Sequence, residues 1–507
     1  MKWALYNLLF AAVYPFLLPG FLVRMLRRGG YAARMGDRFA LYPAGLFGKD
    51  RPLFDSHKDF RRETGDFVWI HAVSVGEVQV AGQLMREWRK VEPGVRFCFS
   101  TTSSTGWKMA EREVKVRGEG EEGGDVLIYN PLDFPNFVKS ALRTVRPRAI
   151  VLTESEIWPN FILQAKKMGI PLFLINARVS DRSAPRYKAA KWFFGEVLSA
   201  FTRIFAQSDL DKARLVAAGA PEAKVEVTGS FKFDVAHRNK AKEKELREWI
   251  LGSDSVGLGA DRIRIESDRA SVGSDSVGGD AKDSNPTLNV PKILLGGSTW
   301  PGEDEVLLGI YKRLTQTRNN SSTQTLLVIA PRHFEKADAV EANIRKAGFA
   351  CVRRSRGEGL KTEDGRREKV YLADTTGELM GLYGIADVVF VGKSLCAHGS
   401  QNMIEPCLCG KPTLVGPYTE NFRPVMSDLL ASDAIIQVKD AKELEEKIID
   451  LFAADSGDRN VAAPTECAED GAATFLSPQE LGARAKAAVE KRLGVVAKCV
   501  GEIRGAL

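Results

Sequence analysis

The feature that most constrains the fold of this chain is an alternation of short apolar runs with helical patterns, which occurs twice along the sequence. Apolar, β-branched runs separated by helical segments are typical of βαβ units with parallel sheets. The first series of predicted strands comprises residues 67–73, 95–101, 149–153, 171–176 and 203–206, and the second comprises residues 293–295, 325–330, 350–353, 388–391 and 413–415. We therefore predict two doubly wound, Rossmann-like α/β domains.

Two polar, low-complexity segments interrupt this pattern. Residues 250–290 are rich in Ser, Asp and Gly and contain the repeat GSDSVG, and residues 454–477 are similarly small and polar. Such compositions cannot bury a core, so we interpret both as insertions away from the chemistry, and residues 117–125 as a surface loop. The predicted organisation is an N-terminal segment (1–28), a first domain (29–235), a flexible linker (236–290) and a second domain (291–507).

The N-terminal segment resembles a membrane anchor. Residues 3–23 carry no charge, and this length is enough to cross a bilayer as a helix. An arginine cluster follows at once, which predicts that the main body lies on the cytoplasmic side. A cleaved signal peptide would carry its charge before the apolar run rather than after it. Because Pro15, Pro19 and Gly20 interrupt the helix, the pattern leaves open whether the segment spans the membrane or lies in its interface.

Charge and cysteine content exclude several function classes. The chain has 72 Lys+Arg and 65 Asp+Glu, a net charge of +7, which is too weak for a dedicated nucleic-acid-binding protein. Its seven Cys residues form no CxxC pair, and there are only five His. Cys407 and Cys409 lack further ligands at metal-binding spacing. We therefore expect no metal and no cofactor.

In the first half, acidic residues follow two predicted strands. Glu77 ends the segment HAVSVGE, where a parallel strand gives way to a helix, and ligands of open α/β sheets bind at such strand ends. The alternative is that Glu77 only favours the positive end of its helix. Glu154 and Glu156 follow the strand 149–153 beside a Trp and a Pro. For this pair the alternative is helix capping by Ser155 or Glu156.

Basic residues follow the next strands of the first half. Arg178 and Arg182 lie in the segment NARVSDRS, and Lys232 lies in VTGSFKFD. The planar guanidinium of Arg donates two parallel hydrogen bonds to a carboxylate or phosphate. Each of these residues alone is an ordinary surface feature. Their shared location at successive strand ends indicates an anion-binding site.

The second half has the features of a nucleotide-binding domain. Residues 296–299 (GGST) follow a strand and precede Pro301, so the pattern predicts a turn whose N–H groups face a phosphate. Pro331 and Arg332 follow the next strand. Residues 376–378 open a helix, and Glu405 follows a glycine-bearing turn, where an acid can accept both ribose hydroxyls of a nucleotide. The alternative for Glu405 is a helix-start acid.

Taken together, these segments resemble one family, the 3-deoxy-D-manno-octulosonic acid (Kdo) transferases of lipopolysaccharide synthesis. The resemblance runs from Tyr31 to about residue 440 in the family's order. The matching segments are HAVSVGEV, TESEIWPN, NARVSDRS, VTGSFKFD, GGSTWPGEDE, IAPRH, TTGELMGLYGIADVVFVGKSL, NMIEP and GKPTLVGPYTENF. The sequence departs from the family at Ser400 and Gln401, where the family usually has glycines and a His before the Asn.

The resemblance implies a GT-B glycosyltransferase with two Rossmann-like domains facing a cleft, an inverting mechanism and a donor, CMP-Kdo. By position, Glu77 matches the general base, and Glu154 and Lys232 match transition-state stabilisers. The implied substrate-binding residues are Ser74, Gly76, Glu156, Arg178, Arg182 and Ser298. The implied CMP-binding residues are Pro331, Arg332, Thr376, Gly377, Glu378, Asn402, Met403, Ile404 and Glu405.

The same resemblance implies a lipid A precursor, lipid IVA, as acceptor and the inner membrane as location, with no nucleic-acid or obligate protein partner. A CMP-sugar has one phosphate, so helix N-termini and cations can stabilise its departure without a metal. Two alternatives remain: a membrane-associated GT-B transferase that uses a UDP-sugar, and a non-catalytic lipid-binding protein. A Rossmann oxidoreductase is disfavoured because no GxGxxG opens the first βαβ unit.

Overall fold

A computed structural model describes residues 2–28, 32–47, 65–114, 124–235, 238–251, 291–316, 324–357, 368–454 and 476–507. The predicted insertions at 250–290 and 454–477, and the loop at 117–125, lie almost wholly outside the described residues. The chain forms two compact units, Met1–Val235 with Gly494–Leu507, and Ala236–Leu493. Each unit contains a parallel sheet with helices on both faces, as the alternating pattern predicts.

The first unit has a seven-stranded sheet in the order β3-β2-β1-β4-β5-β6-β7, and every neighbouring pair is parallel. Its strands are β1 (Phe67–His71), β2 (Arg96–Thr101), β3 (Val126–Tyr129), β4 (Ala149–Thr153), β5 (Leu172–Ala177), β6 (Arg203–Ala206) and β7 (Val225–Val227). The central strands are buried along their whole length because helices cover both faces.

The helices of the first unit bury one apolar core on each face of this sheet. They are α1 (Lys2–Arg28), α2 (Val75–Val91), α3 (Ser104–Glu113), α4 (Pro135–Val145), α5 (Pro159–Lys167), α6 (Ala184–Ala189), α7 (Lys191–Leu198) and α8 (Asp209–Ala217), with 3-10 helices at Ala32–Phe39, Glu222–Lys224 and Phe231–Val235.

The second unit repeats the architecture with the strand order β10-β11-β9-β8-β12-β13-β14, again parallel throughout. Its strands are β8 (Lys292–Thr299), β9 (Thr325–Pro331), β10 (Ala350–Arg353), β11 (Lys369–Leu372), β12 (Val388–Val391), β13 (Thr413–Val415) and β14 (Ile436–Gln437). Its α-helices are α9 (Lys240–Leu251), α10 (Glu303–Gln316), α11 (Ala337–Lys346), α12 (Leu379–Ile385), α13 (Ile404–Leu408), α14 (Arg423–Ala431), α15 (Ala441–Ala454) and α16 (Pro478–Glu490), with 3-10 helices at Phe334–Lys336, Arg354–Arg356 and Glu420–Phe422.

The last helix, α17 (Val495–Gly505), corrects the predicted domain boundary, because it belongs to the first unit rather than the second. Its apolar side packs into the core beside α2. The carboxylate of Asp234 accepts hydrogen bonds from the backbone N–H groups of Gly494 and Val496, each at 2.7 Å, and so caps the helix start. The second domain therefore does not extend to residue 507. The boundary was misplaced because a helix at the end of the sequence can pack into the core of a domain that lies far earlier in the sequence.

The N-terminal segment forms the 27-residue helix α1. Within the described part of the chain, no helix combines the length and the apolar character needed to cross a bilayer. The first turns of α1 instead lie against the protein. The indole Nε1 of Trp3 donates to Glu196 at 2.8 Å, and the Tyr6 hydroxyl donates to Asp133 at 3.1 Å. The predicted membrane anchor over 1–28 is therefore not supported for the first turns of α1, because their polar side chains bind groups of the protein itself.

One local prediction was wrong. The predicted glycine turn at 296–299 is instead the end of β8. A Cβ at Gly297 would lie 2.6 Å from the hydroxyl of buried Tyr383, so this glycine permits close packing rather than a turn.

Candidate active site

The candidate catalytic residues of the first unit lie at the carboxyl edge of its sheet. From β1 the chain continues to β2 and β3 on one side of the sheet, and from β4 it continues to β5, β6 and β7 on the other side. The strand order therefore reverses between β1 and β4, which is the switch point of the sheet. Ligands of open α/β sheets bind at such points. Glu77 follows β1, and Glu154 follows β4. The topology thus places both carboxylates at the switch point.

Glu77 is 9% exposed and lies in the first turn of α2. One carboxylate oxygen accepts from the hydroxyl of Ser74 at 2.8 Å, and the other accepts from the N–H of Val73 and the hydroxyl of Thr153, each at 3.1 Å. The Ser74 hydroxyl in turn accepts from the Glu77 N–H at 3.2 Å and caps α2. The helix-start alternative therefore describes part of the Glu77 environment. The contact with Thr153 adds a link to the neighbouring strand.

Glu154 forms an ion pair with Arg178, whose Nε lies 2.8 Å from its Oε2. The Asn176 side chain also donates to Glu154, at 3.3 Å, and its oxygen accepts from the N–H of Phe231 at 3.1 Å. Asn176 thereby joins the end of β4 to the 3-10 helix that carries Lys232. Sequence reasoning gave Asn176 no specific role, although its position at a strand end was the available signal.

The pKa shifts indicate that Glu77, Glu154, Arg178 and Lys232 form one electrostatic cluster. Burial raises the pKa of Glu154, the charge of Glu77 raises it further, and the charges of Arg178 and Lys232 lower it. Burial lowers the pKa of Lys232, Glu154 opposes this change and Arg178 adds to it. Two acidic and two basic side chains thus interact at the switch point, and shifted pKa values of this kind are common at functional sites.

Glu156 lies beside this cluster and is held by two aromatic residues. The Trp158 Nε1 donates to its carboxylate at 2.8 Å, and the His71 Nε2 lies at 3.7 Å. Burial favours the neutral form of Glu156, but the nearby imidazole of His71 and the hydrogen bond from Trp158 outweigh it and lower the pKa. Glu156 does not cap α5, because Asp133 does so from another loop. The capping alternative for Ser155 or Glu156 is therefore wrong.

Three other predicted substrate-binding residues, Ser74, Gly76 and Arg182, differ in how close they lie to the charge cluster. Ser74 is the N-cap of α2, and Gly76, in the first turn of α2, has open space where a side chain would lie. Arg182 is exposed in the turn before α6 and makes no ion pair with any residue in the described ranges. Ser74 and Gly76 lie next to Glu77 along the chain, whereas Arg182 is not part of the cluster.

Backbone strain is concentrated at the same strand ends. In the described structure, several residues other than glycine have positive φ. Five of them lie at or just after the carboxyl ends of strands or in the loop after β12: Glu154, Asn176, Ser298, Lys393 and Ser400, with φ between 50° and 59°. Such conformations persist where the surrounding contacts enforce them, and they are common at functional sites. The strain supports both sheet edges as candidate sites.

In the second unit, the switch point lies between β8 and β12, and a buried carboxylate organises it. Glu303, fully buried at the start of α10, accepts from the N–H of Trp300 at 2.8 Å. It also accepts from the N–H groups of Lys393, Ser394 and Leu395 at 2.8 to 3.1 Å. These bonds hold the loop after β12 beside the loop after β8. The role of Glu303 was not predicted from the sequence. Ser298, at the end of β8, is 6% exposed.

The predicted CMP-binding residues of segments 331–332 and 402–405 lie at this edge. Pro331 ends β9, and Arg332 is exposed after it. The charge of Arg332 and a 3.0 Å hydrogen bond from Asn402 lower the pKa of Glu405, but burial outweighs both and raises it. Arg332 and Glu405 therefore lie within electrostatic reach of each other. The side chains of Met403 and Ile404 are fully buried in the core, so only their backbone is available to a ligand.

The segment Thr376–Glu378 is divided between a turn and a salt-bridge network. Thr376 and Gly377 are exposed, and Gly377 has φ 82°. The Glu378 carboxylate is bound by Arg354 at 3.1 Å, by Lys242 at 2.7 Å and by the Thr375 hydroxyl. These contacts outweigh burial and lower its pKa to about 2. The side chain of Glu378 thus braces the turn against α9.

Neither edge contains a metal-binding group among the described residues. No group of three or more His, Cys, Asp or Glu that could hold a metal ion occurs there or elsewhere in the described ranges. Cys407 and Cys409 are buried, and burial raises the pKa of Cys407 to about 12, which disfavours the thiolate that metals bind.

Residues 33–235 match the family model of 3-deoxy-D-manno-octulosonic-acid transferase (kdotransferase). The 3-deoxy-D-manno-octulosonic acid transferase of Bordetella pertussis is 33% identical over 392 residues, 76% of this chain and 79% of that protein. A bifunctional glycosyltransferase/methyltransferase of Fusobacterium nucleatum is 28% identical over 79% of this chain, which spans only 54% of that relative's length. The C-terminal CMP-Kdo binding domain of WaaA from Acinetobacter baumannii is 24% identical, with a TM-score of 0.32 over 41% of this chain and 90% of that domain.

Proposed function

This chain belongs to the 3-deoxy-D-manno-octulosonic acid (Kdo) transferase family, which transfers Kdo in lipopolysaccharide synthesis, and we propose that its donor is CMP-Kdo and its acceptor a lipid A precursor, lipid IVA. The observation that carries this proposal is the charge cluster of Glu77, Glu154, Arg178 and Lys232 at the switch point of the first sheet. It provides a carboxylate base and two cations within a small, partly buried volume.

Glu77 is the proposed general base. It takes the proton of an acceptor sugar hydroxyl while that oxygen forms a bond to the anomeric carbon of Kdo. The bond from this carbon to the CMP phosphate breaks on the opposite face, CMP leaves with the electron pair, and the anomeric configuration inverts. The hydrogen bonds from Ser74, Val73 and Thr153 fix the direction of the carboxylate.

Glu154 and Lys232 are the proposed transition-state stabilisers, and Arg178 keeps Glu154 in position. An oxocarbenium-like sugar gains positive charge as CMP departs, which a carboxylate stabilises, and the departing phosphate gains negative charge, which a cation stabilises. The ion pair between Arg178 and Glu154 holds the acid at the end of β4. Arg178 is also a candidate for binding the acidic groups of the substrates.

We infer that the second unit binds CMP at its carboxyl edge. Glu405 is oriented by Asn402 and suits the ribose hydroxyls, while Arg332 suits the phosphate. Ser298, Pro331, Thr376 and Gly377 complete this candidate site, with Met403 and Ile404 contributing through the backbone and Glu378 through its hold on the turn. Because CMP-Kdo has one phosphate, these groups suffice to stabilise CMP as it departs, and we expect transfer without a metal.

A membrane location on the cytoplasmic side of the inner membrane fits the outer face of α1. Five apolar residues with helical spacing are exposed there: Leu5, Leu8, Leu9, Val13 and Phe16. An apolar stripe of this kind inserts into the interface of a bilayer. We propose that α1 attaches the enzyme to the inner membrane, where its lipid acceptor lies, by this stripe.

The donor nucleotide is tested by thermal denaturation of the protein with CMP, with UDP and with UMP. We expect CMP to raise the melting temperature in a concentration-dependent way, because a ligand that binds only the folded state stabilises it. UMP is the matched control, since it differs from CMP in the base alone. Protection by UDP but not by CMP would replace the proposed donor with a UDP-sugar.

A further inference from the structure

The N-terminus of α5 lacks a cap from its own sequence. The residue before the helix, Trp158, supplies no capping side-chain hydrogen bond in the described structure. Asp133, from the loop before α4, takes this role. Its carboxylate accepts from the N–H of Asn160 at 3.0 Å and from the N–H of Phe161 at 2.8 Å. The start of α5 is therefore fixed by a residue of another loop.

Helix α1 in turn holds Asp133 and Asn160. The Tyr6 hydroxyl donates to the Asp133 carboxylate at 3.1 Å, and the Asn7 side chain accepts from the Asn160 amide at 2.7 Å. The Tyr6 ring packs against Phe193, with ring centroids 5.6 Å apart. The second turn of α1 therefore contacts both residues that define the start of α5.

The start of α5 leads directly to the candidate active site. Trp158 immediately precedes α5, and its indole donates to Glu156 at 2.8 Å. Glu156 lies 3.7 Å from His71, which ends β1. A shift of the start of α5 would move Trp158 first and Glu156 with it. An unbroken series of contacts thus runs from α1 through Asp133 and Asn160 to Glu156.

We propose that Tyr6 and Asn7 are positioning residues for the acceptor site, acting through the start of α5 on Trp158 and Glu156. The helix that presents an apolar stripe outward therefore braces the active site with its opposite side. Membrane attachment and acceptor geometry depend on the same helix. This inference rests on the proposed function only in assigning Glu156, one of the predicted substrate-binding residues, to the acceptor.

The test uses the full chain in detergent and compares Tyr6→Phe, Asn7→Ala and the double variant with the wild-type protein. Tyr371→Phe is the matched control: it also removes a hydrogen-bonding hydroxyl, which donates to the Ile250 carbonyl at 2.9 Å in the second unit, far from α5 in sequence. Two readouts are taken. The first is the indole N–H signal of Trp158, assigned by its loss in Trp158→Phe. The second is steady-state transfer with donor and acceptor varied separately.

We expect the Trp158 signal to shift in Tyr6→Phe and Asn7→Ala but not in Tyr371→Phe. We also expect the double variant to lose roughly tenfold to a hundredfold in kcat/KM for the acceptor, since small displacements of positioning groups have effects of this size. KM for CMP-Kdo stays at the wild-type value. An unchanged Trp158 signal with unchanged acceptor kinetics overturns the inference.

The spectroscopic readout separates this inference from the proposed function. If the wild-type protein transfers no Kdo, the proposed acceptor or donor is wrong, yet the Trp158 signal still reports whether α1 positions the start of α5. If the wild-type protein transfers Kdo and the variants lose activity with an unshifted Trp158 signal, α1 acts by another route and the positioning role is rejected.

Discussion

The Arg178 guanidinium lies 2.8 Å from the carboxylate of Glu154, and this ion pair joins the ends of the neighbouring strands β4 and β5. Arg178 lowers the pKa of Glu154 and also lowers the pKa of Lys232. One arginine thus favours the charged form of the acid and the neutral form of the base. The pH dependence of the proposed reaction depends on this residue.

Replacing Arg178 moves both limbs of the pH profile in one direction. In Arg178→Gln the pKa of Glu154 rises, because its cationic partner is lost, and the pKa of Lys232 rises, because a like charge is lost. If transfer requires charged Glu154 and protonated Lys232, the acid limb and the alkaline limb of kcat both shift to higher pH. The measurement is kcat from pH 5 to 10. Arg203→Gln, at the opposite edge of the sheet, is the control and keeps the wild-type profile.

Replacing Glu77 tests the proposed base. Glu77→Gln keeps the size of the side chain and its place in α2, so we expect normal folding and CMP binding. Transfer falls by roughly 10²- to 10⁴-fold, the usual contribution of a positioned base. Glu87→Gln, in the same helix and paired with Lys90 on its surface, is the control. Turnover of Glu77→Gln within a few fold of the control would remove Glu77 from this role.

Replacing Glu405 tests the proposed ribose contact. Glu405→Gln removes the charge that accepts the hydroxyls, and we expect CMP to bind roughly tenfold to a hundredfold more weakly by calorimetry, the usual loss for hydrogen bonds to a charged group. Glu335→Gln, at an exposed site near Arg332, serves as the comparison and retains wild-type affinity. Equal CMP affinities for the two variants would reject the ribose contact and leave Glu405 with the alternative role of an acid at the start of helix α13.

Glu378 makes the second unit sensitive to acid. Its pKa is about 2 in the folded protein and near 4.5 in the unfolded chain, so its stabilising effect is complete above pH 4.5 and is lost as the pH falls toward 2. Glu378→Gln is expected to lower the free energy of unfolding at pH 7 by about 1 to 3 kcal/mol and to weaken its dependence on pH below 4.5. Urea denaturation from pH 7 to pH 3 measures both effects. The control Glu248→Gln, at an exposed site of α9, changes neither; a Glu378→Gln curve that matches the control would refute the role of these ion pairs.

The sheets could be predicted because their strands are buried on both faces and read as continuous apolar runs. Strand β4 was predicted with its observed bounds, as were β6, β10, β12 and β13. Four short strands of two to four residues were missed: β3, β7, β11 and β14. The place of α17 could not be predicted, because an apolar helix face does not show in the sequence which core it joins. In the structure, Asp234 and the contacts with α2 place it in the first unit.

The site could be predicted only where a residue lies at a strand end. Glu77, Glu154, Arg178 and Lys232 meet because parallel strands end at one edge, and this follows from the order of the sequence. The roles of Asp133 and Glu303 could not be predicted in this way, and the position of Asn176 at a strand end did not reveal which segments it joins. Each bonds to a segment distant along the chain, and an ordinary polar residue gives no sign of such a partner before the fold is known.

The most direct test of the proposed function is transfer of Kdo from CMP-Kdo, generated in situ, to a tetraacyl lipid A precursor in detergent, with the products identified by mass spectrometry. We predict product masses that increase by one or more Kdo residues with the wild-type protein, and no such increase with Glu77→Gln over the same time. Absence of product from wild-type protein that binds CMP would contradict the proposed acceptor, and equal product from both proteins would contradict the proposed site.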